Sequence, residues 1–209
     1  MSTRAQKVRR VRASIFNLPN QLTSLRLLLA VILFGLIAWE YYLVGFVLFV
    51  IAAGTDWLDG YYARKYGQVT TLGRILDPFA DKVIICGTFI FALVAPEMAK
   101  MPYGVRAWMV VVIVGRELLV TALRSFLEER GSEFSAKMSG KLKMVLQCFA
   151  AGGCLLYLWF VTPLGESPPG QSPAWVLWAT VAFIWSAVVL TVYSGLVYIQ
   201  AAIVLLRDK

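Results

Sequence analysis

The stretch "YYLVGFVLFVIAAGTDWLDGYYARKYGQVTTLGRILDPFADKVIICGTFIFALVA" runs from Tyr41 to Ala95. Two charge-free apolar runs flank a polar centre, and four aspartates stand at their mouths: Asp56, Asp59, Asp77 and Asp81. Runs of this kind recur along the chain. Of its 209 residues, 59% are hydrophobic, and the mean hydropathy is +0.71. A soluble domain is nearer about 45–50% apolar. Long apolar stretches with few charges therefore predict an all-α integral membrane protein.

Six spans are expected, at 21–39, 41–59, 77–95, 105–127, 138–161 and 174–206. The last holds 33 charge-free residues, Ala174 to Leu206, more than the roughly 20 that cross a bilayer. Such a helix tilts or projects beyond the hydrocarbon. Residues 21–209 read as one catalytic membrane domain. Residues 1–20 form a basic juxtamembrane segment, read as a short interfacial helix drawn to anionic lipid.

An even number of spans places both ends on one side. Of the 20 basic residues, Lys100 and Arg106 fall on the opposite side and Arg116 lies within the fourth span. The remainder cluster with the two ends, so that side is cytoplasmic and the membrane is the inner (plasma) membrane. The excess of basic residues is assigned to topology and anionic headgroups, and no nucleic-acid partner is expected. Trp39, Trp108, Trp159 and Trp175 fall near the outer interface, as an aromatic belt does.

The chain has no histidine, so a general base or metal ligand must come from another group. Cys86, Cys148 and Cys154 lie in apolar runs without CxxC spacing and read as small buried hydrophobes. The aspartates remain. Asp56 and Asp59 are three apart, Asp77 and Asp81 four apart, so each pair shares a helix face. If the second and third spans are neighbours, all four carboxylates converge. Their mutual repulsion is relieved by divalent cations, and all-oxygen ligation suits Mg²⁺ or Mn²⁺. Gly60 and Ala63 keep that face narrow, Gly73 opens space before Asp77, and Arg64 places a fixed positive charge suited to phosphate. Pro78 is tolerated in a first helical turn, so the third span is expected to begin near Asp77. Two other readings stand beside this one. Helix-end aspartates often only solvate a boundary, and intramembrane acids often mark an ion pathway, which here makes a divalent-cation transporter the rival function.

The pattern Asp56-x-x-Asp59-Gly60-x-x-Ala63-Arg64, then eight residues, then Gly73-x-x-x-Asp77-x-x-x-Asp81 resembles the signature of the CDP-alcohol phosphatidyltransferases at every fixed position. "NLPNQLTSLR" at 17–26, "GRELLVTALR" at 115–124 and "SGKLKMVLQ" at 139–147 are similar to the phosphatidylglycerophosphate synthase branch, with Met144 standing where that branch has threonine. The cardiolipin synthases of the same superfamily are the nearest rival. The resemblance implies transfer of a phosphatidyl group from CDP-diacylglycerol to sn-glycerol 3-phosphate, releasing CMP, and a homodimer in contact with membrane lipids. It implies two bound ions, Mg²⁺ or Mn²⁺, on Asp56, Asp59, Asp77 and Asp81, with Asp81 also the chosen general base. Gly60, Ala63, Arg64 and Gly73 are assigned to CDP, with Asn20 and Thr23 completing that pocket. The dianionic acceptor needs cations. Arg116 and Arg124 are eight apart, about two helical turns, and Lys137 and Lys141 are four apart; these form the candidate acceptor-phosphate set. Glu117 is adjacent to Arg116 and so is not expected to face it.

Overall fold

The structure is a computed structural model that describes residues 18–66, 71–129, 138–162 and 172–207. Among these residues it is all-helical. The helices are α1 (Leu18–Ala38), α2 (Tyr42–Tyr66), α3 (Thr71–Val94), α4 (Pro96–Lys100), α5 (Ala107–Glu129), α6 (Met138–Val161) and α7 (Ala174–Arg207). Residues 1–17, which include most of the expected interfacial helix, lie outside the described residues, as does Lys137.

Two segments are long and apolar enough to cross a membrane, Leu142–Val161 in α6 and Ala174–Val204 in α7. Shorter apolar stretches run from Thr23 to Ala38 and from Tyr42 to Thr55.

The helices form a ring in the order α1, α2, α6, α7, α5, α3, closed by α3 against α1. Helix α6 also packs against α3 across the middle, and its union with α7 is the most extensive. Small residues permit these approaches. A Cβ on Gly87 of α3 would meet the Phe34 ring of α1 at 2.1 Å, and one on Gly153 of α6 would meet Thr180 Oγ1 of α7 at 2.8 Å. Phe34 then stacks on Phe91 with ring centroids 5.0 Å apart. The core runs along α6, where Ala150, Ala151, Cys154, Leu155 and Leu158 are fully buried. Large apolar side chains face outward on α1 (Leu28, Val31), α2 (Val44, Val50) and α5 (Val111, Leu118).

Three features need a physical account, and the first two depart from the sequence reading. Helix α3 starts at Thr71 and carries Pro78 inside it rather than at its start. An interior proline removes one backbone hydrogen bond and crowds the preceding turn. Buried Ala80, Ile84 and Ile85 hold the following turns in the bundle, so packing overrides the local preference. Second, the expected loop after the third span contains the one-turn helix α4, begun by Pro96 and anchored by buried Met98. Third, α1 ends without glycine. Glu40 adopts φ 63°, while Tyr41 N–H donates to Leu36 O (2.9 Å) and Glu40 N–H to Ile37 O (3.0 Å). This is a Schellman closure. A left-handed non-glycine residue costs about 1–2 kcal/mol, offset here by two satisfied carbonyls.

Candidate active site and its buried charges

Asp56 and Asp59 lie on α2, Asp77 and Asp81 on α3. The two helices touch only slightly; α1 packs against both far more extensively. The simple expectation of two neighbouring helices is therefore modified, with α1 set against each. The side chains of Asp56, Asp59 and Asp77 lie outside the described residues, as do those of Asn20, Gly60, Ala63, Arg64, Gly73 and Lys141. Thr23 is buried on α1.

Asp81 is placed in full. Arg26 of α1, 3% exposed, donates from Nη1 to Asp81 Oδ1 at 3.1 Å, and the Asp81 side chain is 21% exposed. The sequence reading gave Arg26 no role of its own beyond its place in the stretch 17–26. Its partner sits 55 positions away, where spacing along one helix gives no signal. Asp81 is thus a reachable hard-oxygen donor held in orientation by a buried guanidinium. That chemistry fits a hard divalent cation.

Next to Asp81, Lys82 Nζ donates to Thr121 Oγ1 of α5. From there a part-buried polar cluster runs between α3, α5, α6 and α7, with Glu117 and Lys143 its most buried members. Glu117 of α5 accepts from Lys143 Nζ of α6, and from Arg116 Nη1 at 3.3 Å. The neighbouring Arg116 does reach Glu117, contrary to expectation, because both side chains are long enough to fold back. The ion pair that crosses between helices is Glu117–Lys143. Arg116 also lies over the Tyr198 ring of α7, 5.3 Å from its centroid, and Arg124 Nη2 donates to Tyr198 Oη at 3.4 Å. Arg116 and Arg124 therefore do share a face of α5. Lower in the bundle Gln147 Nε2 donates to Thr191 Oγ1 at 3.1 Å.

Two facts make this cluster chemically incomplete. Among the described residues α5 and α6 do not pack on one another, so long polar side chains fill the space between them. Charge is also unbalanced among the described residues. There, Lys82, Arg116, Arg124 and Lys143 face the two acids Glu117 and Asp81, and the buried Nε atoms of Arg116 and Arg124 have no hydrogen-bond partner. Uncompensated buried charge is costly, and an anion is the natural complement. Lys82, Lys143 and Tyr198 were missed by the sequence reading. Lys143 sits two positions from the candidate Lys141, so only its orientation separates it.

Comparison with known proteins identifies the family. The CDP-alcohol phosphatidyltransferase family profile matches residues 16–193. A CDP-diacylglycerol–glycerol-3-phosphate 3-phosphatidyltransferase of Bacillus subtilis is 39% identical over 158 residues, covering 68% of this chain and 78% of its own length. Proteins of the same name from Salmonella choleraesuis (35% over 197 residues, 90% and 95% covered) and Escherichia coli (33% over 204 residues, 93% and 99% covered) are similar over nearly their whole length. With the complete aspartate signature in sequence, the all-helical bundle and this breadth of similarity, the chain belongs to the CDP-alcohol phosphatidyltransferase family.

Proposed function

We propose that the protein transfers the phosphatidyl group of CDP-diacylglycerol to sn-glycerol 3-phosphate, giving phosphatidylglycerophosphate and CMP. The observation that carries this reading is the cation-rich, part-buried cluster beside Asp81. An acceptor such as serine or choline would not neutralise it. A phosphate dianion does, at the oxygens that a guanidinium binds best.

In this reading Asp56, Asp59, Asp77 and Asp81 hold two divalent ions, Mg²⁺ or Mn²⁺. Bound there, the ions supply Lewis-acid stabilisation of the diphosphate and of the departing phosphate. The chain's own groups do the rest. Arg64, with Gly60, Ala63, Gly73, Asn20 and Thr23, holds the cytidine diphosphate. Arg116, Arg124, Lys137 and Lys141, joined by Lys82 and Lys143, hold the acceptor phosphate. Asp81 takes the proton of the attacking glycerol hydroxyl. The new bond forms between that oxygen and the phosphorus bearing diacylglycerol. The bridging P–O bond breaks, and CMP leaves with the electron pair. Arg26 keeps the Asp81 carboxylate oriented.

The same reading places one catalytic domain, residues 21–209, in the bacterial inner membrane as a homodimer. Six spans bring the aspartates and both ends to the cytoplasmic face. Outward-facing apolar side chains on α1, α2 and α5 support spans beyond the two longest, and the distribution of basic residues supports the orientation.

The test is purified protein in detergent with Mg²⁺ or Mn²⁺, CDP-diacylglycerol and radiolabelled glycerol 3-phosphate. Labelled lipid and CMP in equal amounts are expected. Serine or phosphatidylglycerol outcompeting the label would reassign the acceptor. Cation flux in vesicles without CMP release would point to transport instead.

A further inference from the structure

Tyr198 is far from the aspartate signature in sequence, and no motif includes it. Yet it meets both arginines of α5. Its ring lies beneath the Arg116 guanidinium at 5.3 Å, inside the roughly 6 Å over which a cation–π contact acts. Its hydroxyl accepts from Arg124 Nη2 at 3.4 Å, a long bond. Two glycines make room for this arrangement. A Cβ on Gly195, one turn before Tyr198, would stand 3.2 Å from Arg116 Cγ. One on Gly140, in the first turn of α6, would stand 3.4 Å from Tyr198 Oη. The hydroxyl therefore sits where α5, α7 and the start of α6 meet.

Neither arginine is saturated by these contacts. Both Nε atoms are buried and lack a hydrogen-bond partner among the described residues. A guanidinium offers five N–H donors in a rigid fork, so a side chain that holds its plane leaves the other donors to a ligand. Glu117 also accepts from Arg116 Nη1 at 3.3 Å.

We infer that Tyr198 is the positioning residue of the acceptor site: one side chain of α7 sets the planes of Arg116 and Arg124 so that both address a single phosphate. The inference rests on the acceptor reading above and specifies how that site is built. It also gives α7 a role in specificity beyond spanning the membrane. An acceptor lacking the phosphate gains nothing from arginines held this way, so Tyr198 acts on the choice of acceptor and leaves CDP-diacylglycerol binding alone.

The experiment is steady-state kinetics on the full-length enzyme, varying each substrate, for Tyr198→Phe, Tyr198→Leu, Arg124→Gln and the double variant Arg124→Gln/Tyr198→Phe. Tyr198→Phe keeps the ring and removes the hydroxyl. It is expected to raise KM for glycerol 3-phosphate about fivefold, the range of one modest hydrogen bond. Tyr198→Leu also removes the ring and is expected to reach about twentyfold. KM for CDP-diacylglycerol and kcat should stay within about twofold for both, the mark of lost acceptor binding. Because the hydroxyl acts through Arg124, the double variant should match Arg124→Gln alone. Additive effects, or equal changes in both KM values, overturn the positioning role while leaving the acceptor site standing. An unchanged KM for glycerol 3-phosphate in Arg124→Gln overturns the acceptor site itself, and the inference with it. Tyr198→Phe keeps the test decisive if Tyr198→Leu does not fold.

Discussion

The two halves of α6 are built on opposite principles. From Ala150 to Leu158 every inward residue is small or apolar, and α7 comes close enough to touch Gly153. From Met138 to Gln147 the same helix buries Lys143 and Gln147, and answers them with Glu117 of α5 and Thr191 of α7. The first region is a packed wall whose energy comes from contact. Among the described residues, the second holds more positive charge than negative. A protein that needed only to fold would gain by replacing such a cluster with apolar residues. Its place beside Asp81 is what the proposed acceptor site requires, a charged ligand at this end and a packed wall at the other.

Variants can break that contrast, beginning with the largest effect. Asp81→Asn keeps size and shape but removes the proton acceptor. We expect turnover to fall by at least about a thousandfold, within the range of general-base loss, while CDP-diacylglycerol still binds. Near-normal turnover in single-turnover assays would remove Asp81 as the base. Glu117→Ala leaves Lys143 and Arg116 buried without their carboxylate. Loss of one partner of a buried pair costs about 3–5 kcal/mol, so the melting temperature in detergent should drop steeply, and a saturating phosphate ligand should restore part of it. An unshifted melting curve would show the cluster to be better hydrated than its burial suggests.

The packed half answers differently. Leu158→Ala opens a cavity in the wall and should cost about 2–5 kcal/mol by denaturation. Activity per folded molecule should be unchanged, because no charged group moves. A selective rise in KM for either substrate would mean the two halves are coupled. The smallest effect is expected at Arg116→Ala. KM for glycerol 3-phosphate should rise about tenfold, near the value of one charge-assisted hydrogen bond, with KM for CDP-diacylglycerol little changed. Equal rises in both would mean general damage and erase the distinction between acceptor and donor sites.

Much of this was legible before any coordinates. Apolar runs located α1, α5, α6 and α7 to within about three residues at each end, and for α6 both ends agreed, at Met138 and Val161, whereas α2 runs on to Tyr66, past its expected end at 59. Such runs are legible because burial in an apolar medium depends on composition over a whole window. Local exceptions were harder. The start of α3 was misplaced because a proline rule speaks for one turn, whereas helix length is decided by what the following turns pack against. Helix α4 was missed because five residues carry too little periodicity to read.

The amino-acid order alone determined the class of molecule and its chemistry: greasy helices, four aspartates at helical spacing, an arginine beside them, and no histidine to share the work. These follow from side-chain chemistry and short-range spacing. Tertiary structure alone decided which charges meet. Arg26 with Asp81, Lys143 with Glu117, and Tyr198 with Arg116 and Arg124 join helices distant in sequence. Those pairings depend on how each helix is rotated about its axis and how closely its neighbours approach. That rotation is set by the whole packed bundle, and no local pattern along one helix encodes it.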